Sequence, residues 1–240
     1  MDNNELFMQS FNNIEKKLRD DIDAYNNVPF YELVDKNAKK NKLIRQFNNE
    51  LKTMGDLRNF IVHGDILSPM AIASEITVNR INFIEKQLTN PMKITELFEE
   101  NVVGVNEDDS LSDLLKLLEK KRYSQYPVIN QDGLKGLITE NGIANWLANN
   151  IEKDIISIKK TTVKDVIVNE EERESYSILY SHNTLYDVIE KFEKGRNIGK
   201  RIFIIIVLKG PQKNIRLEDI YTIITPWDLD LIYNNLGLEF

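Results

Sequence analysis

A chain of 240 residues, 42% hydrophobic and 29% charged, is long enough for one large core or two small ones, and it contains no apolar run near the roughly 18 residues of a membrane span. A formal charge of −7 argues against a protein that coats nucleic acid by bulk attraction, and the absence of cysteine excludes disulfides, thiolate metal sites and a cysteine nucleophile. Only two histidines are present, far apart, so no metal site is expected; the polar, acidic start MDNNELFMQSF is unlike a signal peptide, and a cytoplasmic protein with no required cofactor is expected.

Residues 1–90 read as helix throughout. The stretch LFMQSFNNIEKKL sets Leu6, Phe7, Phe11, Ile14 and Leu18 at helical spacing, Pro29 interrupts, and FYELVDKNAKKNKLIRQFNNELKTM resumes the period. After Gly55 comes DLRNFIVHG, closed by Gly64. A last amphipathic helix, AIASEITVNRINFIEKQL, is expected to turn Ile72, Ile76, Ile81 and Ile84 inward. About four helices joined by short breaks make an α-helical bundle. Charge is unevenly spread: residues 1–90 hold 12 Lys+Arg against 13 Asp+Glu, the remainder 19 against 25. Within the bundle, KNAKKNKLIRQF carries Lys36, Lys39, Lys40, Lys42 and Arg45 with no acid among them, a candidate face for RNA phosphates.

From Pro91 the rhythm changes to short β-branched runs alternating with helices. SLSDLLKLLEKKR (110–122) matches TLYDVIEKFEKGR (184–196), each after an apolar strand, VVGV and YSIL. Ser110 and Thr184 stand where N-caps belong, with Asp113 and Asp187 three residues on, as in a capping box. Further on, GLITENGIANWL matches TIITPWDLDLIY once an insertion around KGPQKNIRLED is allowed. The unit is strand, helix, two strands, helix, and it occurs twice, over about 91–150 and 161–237. The fold class expected is therefore α+β in two domains, a helical bundle over 1–90 and a β-α-β-β-α repeat pair over 91–240.

This repeat pair resembles a tandem pair of cystathionine-β-synthase (CBS) domains, a Bateman module; MKITELF before the first unit, TVKDVIV before the second, and YPVIN with its following DG carry the resemblance. The resemblance implies a binding device for AMP, ADP, ATP or S-adenosylmethionine. It implies a Thr-x-x-Asp turn in which the carboxylate takes both ribose hydroxyls while the threonine and helix start meet phosphate. The second repeat keeps that turn as Thr225 and Asp228; the first has Thr139 but Gly142 in place of the acid. Asp228 is read either as a ligand residue or as a helix cap alone. EKGRNIGKR has the wrong glycine spacing for a P-loop and no Ser/Thr after its lysine, so Arg196, Lys200 and Arg201 are candidates for ligand phosphates or a solvated turn. His182 reads as a surface-loop residue, and Trp146 and Trp227 as core anchors.

The stretch GDLRNFIVHG sets Asn59 and His63 four residues apart, on one helix face, with Arg58 beside them: a base that titrates near neutrality and a permanent cation suited to phosphate. RNFIVH fits, residue for residue, the motif of the HEPN domain (Arg, a polar residue, three others, His), and residues 1–90 resemble that family on this motif. The resemblance implies a metal-independent endoribonuclease built as a homodimer. His63 would move protons, Arg58 would stabilise charge on phosphate, and Asn59 would hold His63 or the backbone in place. The reading is a nucleotide-sensing CBS protein whose helical domain cleaves or binds RNA. The alternative is a non-enzymatic ligand sensor whose helical domain only dimerises or docks a protein partner.

Overall fold

The computed structural model describes residues 2–62, 71–150, 158, 160–167, 176–197 and 204–238. It divides into two compact units, 1–92 and 93–240. None of the described helices is long and apolar enough to cross a membrane.

The first unit is helical: α1 (Asn3–Asp20), α2 (Phe30–Ala38), α3 (Lys42–Gln46), α4 (Asn48–Val62) and α5 (Glu75–Thr89). Helix α1 starts at a capping box between Asp2 and Glu5, packs most closely on α5, and buries Phe7, Phe11, Ile14 and Leu18. The single helix expected over FYELVDKNAKKNKLIRQFNNELKTM is three. Asn41 adopts extended backbone and its side chain accepts from the N–H groups of Leu43 (2.9 Å) and Ile44 (3.4 Å), so it ends one helix run and caps the next. Buried Asn37 fixes the end of α2 by donating to the carbonyls of Leu18 (2.7 Å) and Leu33 (2.9 Å). Arg80 forks onto Glu50 (2.6 and 2.8 Å) and lies over the rings of Phe47 and Phe83.

Helix α5 corrects the expected inward face. Ile81 and Ile84 are fully buried, with Val78 and Leu88, but Ile72 is 76% and Ile76 is 82% exposed. Ser74 is the N-cap, so Ile72 precedes the helix. Ile76 lies five residues before Ile81, about 140° round from the buried stripe at 3.6 residues per turn.

The second unit holds two copies of one topology. In the first, β1 (Val105–Asn106) runs parallel to β2 (Gln125–Asn130), which pairs antiparallel with β3 (Gly133–Thr139); α7 (Leu111–Lys121) and α8 (Glu140–Asn150) complete the copy. In the second, β4 (Tyr176–Tyr180) runs parallel to β5 (Ile204–Leu208), which pairs antiparallel with β6 (Ile220–Ile224), accompanied by α10 (Leu185–Asn197) and α11 (Leu229–Asn235). Each antiparallel pair shifts register at a bulge in the same relative place, Val128/Ile129 and Val207/Leu208. Ser110 and Thr184 cap α7 and α10, accepting from the N–H groups of Asp113 and Asp187.

The two copies exchange their lead-in helices. Before the first copy, α6 (Ile94–Leu97) is bound to the second: Lys93 bridges Thr184, and Ile94 N–H donates to Asn183 O at 2.9 Å. Before the second, α9 (Val163–Ile167) packs its Val163, Val166 and Ile167 into the core of the first, with Tyr126, Val128, Ile138 and Trp146. Alternation along β3 then sends Ile138 to that core and Leu137 to a shared one with Ile204, Ile206, Leu208 and Ile220. Neither copy closes its core alone.

Gly133 marks a close approach between the copies. Its φ is +111°, and a Cβ there would meet the backbone O and N of Ile215 at 3.0 and 3.1 Å. Gly133→Ala is expected to destabilise the second unit by about 1–3 kcal/mol through left-handed strain and this contact, read as a lower unfolding midpoint in urea.

Candidate functional site

The last strand of each copy delivers a turn at the same place. In the second copy, Asp228 Oδ2 accepts from Thr225 N–H at 2.7 Å and from Thr225 Oγ1 at 3.0 Å. The two readings of Asp228 therefore meet in one side chain. One carboxylate oxygen caps the turn, and Oδ1 has no partner among the described residues. Asp228 lines a cleft of about 400 Å³ together with Val102, Val103 and Ile223, which offer an apolar wall, and with Arg122 and Thr222. The Arg122 guanidinium has no partner among the described residues. It ends α7 in left-handed backbone (φ 56°, ψ 31°), closing the helix through its N–H on Leu118 O. Such a cleft presents an acceptor for a diol, an apolar slot for a flat ring and a cation for negative charge, which is a nucleotide-shaped set of demands.

The first copy's turn is equipped differently. Thr139 is 8% exposed and its Oγ1 accepts from Gly142 N–H at 3.0 Å, so the turn closes on a hydroxyl, with Gly142 in the place that Asp228 takes in the second copy. A second cleft of about 360 Å³ lies there, lined by Gln125, Thr139, Glu140, Asn141, Ile204 and Trp227. Trp227 is 91% exposed, which corrects its expected place in the core; Trp146, at 7%, holds the place expected for it. Trp227 sits inside the short 3-10 turn Pro226–Asp228, and the inward positions that follow are taken by Leu229 and Ile232. His182 stacks on Tyr180 at 5.6 Å between ring centroids. Lys200 and Arg201 lie outside the described residues, as does the side chain of Arg196 on α10.

In the helical unit, Arg58 and Asn59 sit on the last turns of α4, and Arg58 Nη1 donates to Asn59 Oδ1 at 3.3 Å. They border a hollow shared with Arg19, Asn26, Asn27 and Tyr31. The Tyr31 hydroxyl donates to Asp56 Oδ1 at 2.5 Å, and this bond, with burial and the Asp56 charge, raises its pKa above the usual phenol value. His63 lies outside the described residues.

Of the basic stretch, Lys36, Lys39 and Lys40 line one hollow of the helical unit. Lys36 pairs with Glu32 at 2.6 Å on α2. Arg45 caps the end of that helix, donating to the carbonyls of Ala38 (2.9 Å) and Lys39 (3.4 Å). Lys42 opens α3, beyond the break at Asn41. Lys39 and Lys40 are exposed in the turn, and their ammonium groups make no hydrogen bond or ion pair among the described residues; Lys39 feels the charge of Asp35 and helps to lower its pKa. Among those residues no group of three or more His, Asp or Glu could hold a metal ion.

Comparison with known proteins bears on the first copy. Residues 94–149 match the family model of the CBS domain. The second copy, outside that match, repeats the element order of the first. Among solved structures, the chain is similar to a putative acetoin utilization protein (AcuB) from Vibrio cholerae, at 15% identity over 61% of this chain and 93% of that one, with a TM-score of 0.44. It is similar to the CBS domain pair of protein MJ0100, solved with 5′-methylthioadenosine and S-adenosyl-L-methionine, at 18% identity over 60% and 98% of the two chains (TM-score 0.43). It is also similar to CBSX2, solved with AMP, at 16% identity over 61% and 98% (TM-score 0.41). No curated protein matches the chain.

Sequence reasoning reached Thr225, Asp228 and the deficient turn at Gly142, because a motif carries them. It did not reach Arg122, Val102 or Val103. The one local signal for Arg122 is its place at the end of an amphipathic helix, where glycine is the usual left-handed residue and its absence hides the turn.

Proposed function

We propose that residues 93–238 work as a CBS pair that binds an adenine-containing ligand, AMP, ADP, ATP or S-adenosylmethionine, in the cleft at Asp228. The observation that carries this is the divided carboxylate: Oδ2 is held by Thr225, which fixes the geometry, and Oδ1 is left for a ribose hydroxyl. The CBS match of residues 94–149 supports it, since the cleft also draws Val102, Val103 and Arg122 from that stretch. Ligand in the cleft would shift how copies of the chain pair, and so set the state of the helical unit. The test is a melting panel with those four ligands. A ligand that binds only the folded chain raises its stability by about 2.7 kcal/mol at a hundredfold excess over its dissociation constant. No shift with any of the four would leave the pair a scaffold only.

For the helical unit, the bond that ties Arg58 to Asn59 at the edge of an open hollow favours a second reading: two copies of a HEPN-like domain facing one cleft, acting on RNA. Arg58 would meet phosphate, Asn59 would orient it, and His63 would exchange protons with the reacting oxygens, without a metal. A homodimer is required by this reading. The alternative, a helical unit that only pairs or docks a protein partner, predicts binding without cleavage.

A further inference from the structure

A second hollow in the helical unit, apart from the Arg58 motif in its chemistry, brings together features that the chain's overall acidity conceals. It has a volume of about 430 Å³ and is lined by Asp23, Tyr25, Val28, Lys36, Lys39 and Lys40. We infer that it binds single-stranded nucleic acid, with Tyr25 as the surface on which a base stacks and the three lysines as the cations that meet adjoining phosphates.

Tyr25 is 82% exposed, and its ring has no aromatic or hydrogen-bonding partner among the described residues. The turn that carries it is firmly built. Ala24 N–H donates to Arg19 O (3.0 Å) and Val28 N–H to Tyr25 O (3.1 Å). Arg19 Nη1 donates to the carbonyls of Tyr25 (2.6 Å) and Val28 (3.3 Å), while its Nη2 is held by Glu15 at 2.6 Å. Asp23 takes the left-handed backbone (φ 50°) that reverses the chain. The backbone that carries the ring is thus fixed before any ligand arrives, which lowers the ordering cost of binding.

Charge completes the set. The Lys39 and Lys40 ammonium groups make no hydrogen bond or ion pair among the described residues, though Lys39 feels the charge of Asp35, and Lys36 shares its charge with Glu32 across an exposed pair that water screens. Against three ammonium groups stands one lining carboxylate, Asp23; nearby Asp35 is engaged by Lys52 (2.7 Å) and Asn48 (3.2 Å). An aromatic face beside cations is the chemistry that grips unpaired bases regardless of sequence. A duplex keeps its bases stacked inside and cannot use the ring. The site stands on its own geometry and does not rest on cleavage at Arg58.

The experiment is fluorescence anisotropy of the full chain with labelled single strands of roughly 10 nucleotides, in RNA and DNA versions, and with the corresponding RNA duplex. Tyr25→Ala is expected to weaken single-strand binding by roughly tenfold or more, and Tyr25→Phe to keep it. Lys39→Gln with Lys40→Gln is expected to reduce the log–log salt slope by about 1.4. Binding of either single strand in this pattern supports the site, and a preference between the two identifies which is the natural source. Wild-type affinity in Tyr25→Ala, an unchanged salt slope, a duplex held as tightly as a single strand, or no binding at all would overturn it.

Discussion

His63→Ala is expected to lower RNA cleavage by about 10²–10⁴-fold, because a positioned general acid or base contributes that much to proton transfer at a reacting oxygen. The proposed chemistry needs no metal, so cleavage by the wild-type chain should persist in excess EDTA. Arg58→Ala should cost about 10²–10³-fold, the usual loss when one donor to developing negative charge is removed. Asn59 accepts from Arg58, so Asn59→Ala should act through Arg58 and cost less than Arg58→Ala itself. Arg58 and Asn59 lie near the end of α4, away from the buried stripe of Leu51 and Met54, so their variants should hardly move the melting temperature. Equal cleavage by His63→Ala and wild type, or cleavage abolished by EDTA, would remove the catalytic reading and leave the helical unit a pairing or docking domain.

Asp228→Asn is expected to erase the ligand-induced rise in stability, about 2.7 kcal/mol at a hundredfold excess of ligand, while leaving the free protein nearly as stable as wild type. The asparagine side-chain oxygen can still accept from Thr225 N–H, so the turn stays closed; even complete loss of a cap costs only about 1 kcal/mol. What disappears is the charge-assisted acceptor for the ribose hydroxyls. Thr225→Val should weaken phosphorylated ligands more than adenosine, because its hydroxyl is next to the start of the turn. An Asp228→Asn chain that shifts as far as wild type would make Asp228 a cap and nothing more.

The sequence made the doubled fold legible because SLSDLLKLLEKKR and TLYDVIEKFEKGR repeat their helix caps and apolar spacing, features set by neighbours three and four residues away. The exchange of α6 and α9 between the copies was not legible. The acceptor for Ile94 N–H is Asn183 O, and no local pattern reports a partner so distant along the chain. Ile72 and Ile76 show the limit of reading a helical stripe before its N-cap is known, and Trp227 shows that a large apolar residue beside a proline turn need not be buried. The cap made by Arg45 was not legible either: its acceptors, the carbonyls of Ala38 and Lys39, are supplied by the fold and are invisible in a charge count. Tyr25 gave no signal at all, since its exposure depends on a turn built by Arg19.

The most direct measurement of the central claim is a calorimetric titration of the intact chain with the ligand that gives the largest melting shift. One molecule of ligand per chain is expected, bound at Asp228, with binding lost in Asp228→Asn and unaffected by Asn141→Ala in the other cleft. Two molecules per chain, or binding that survives Asp228→Asn and is lost in Asn141→Ala, would contradict it.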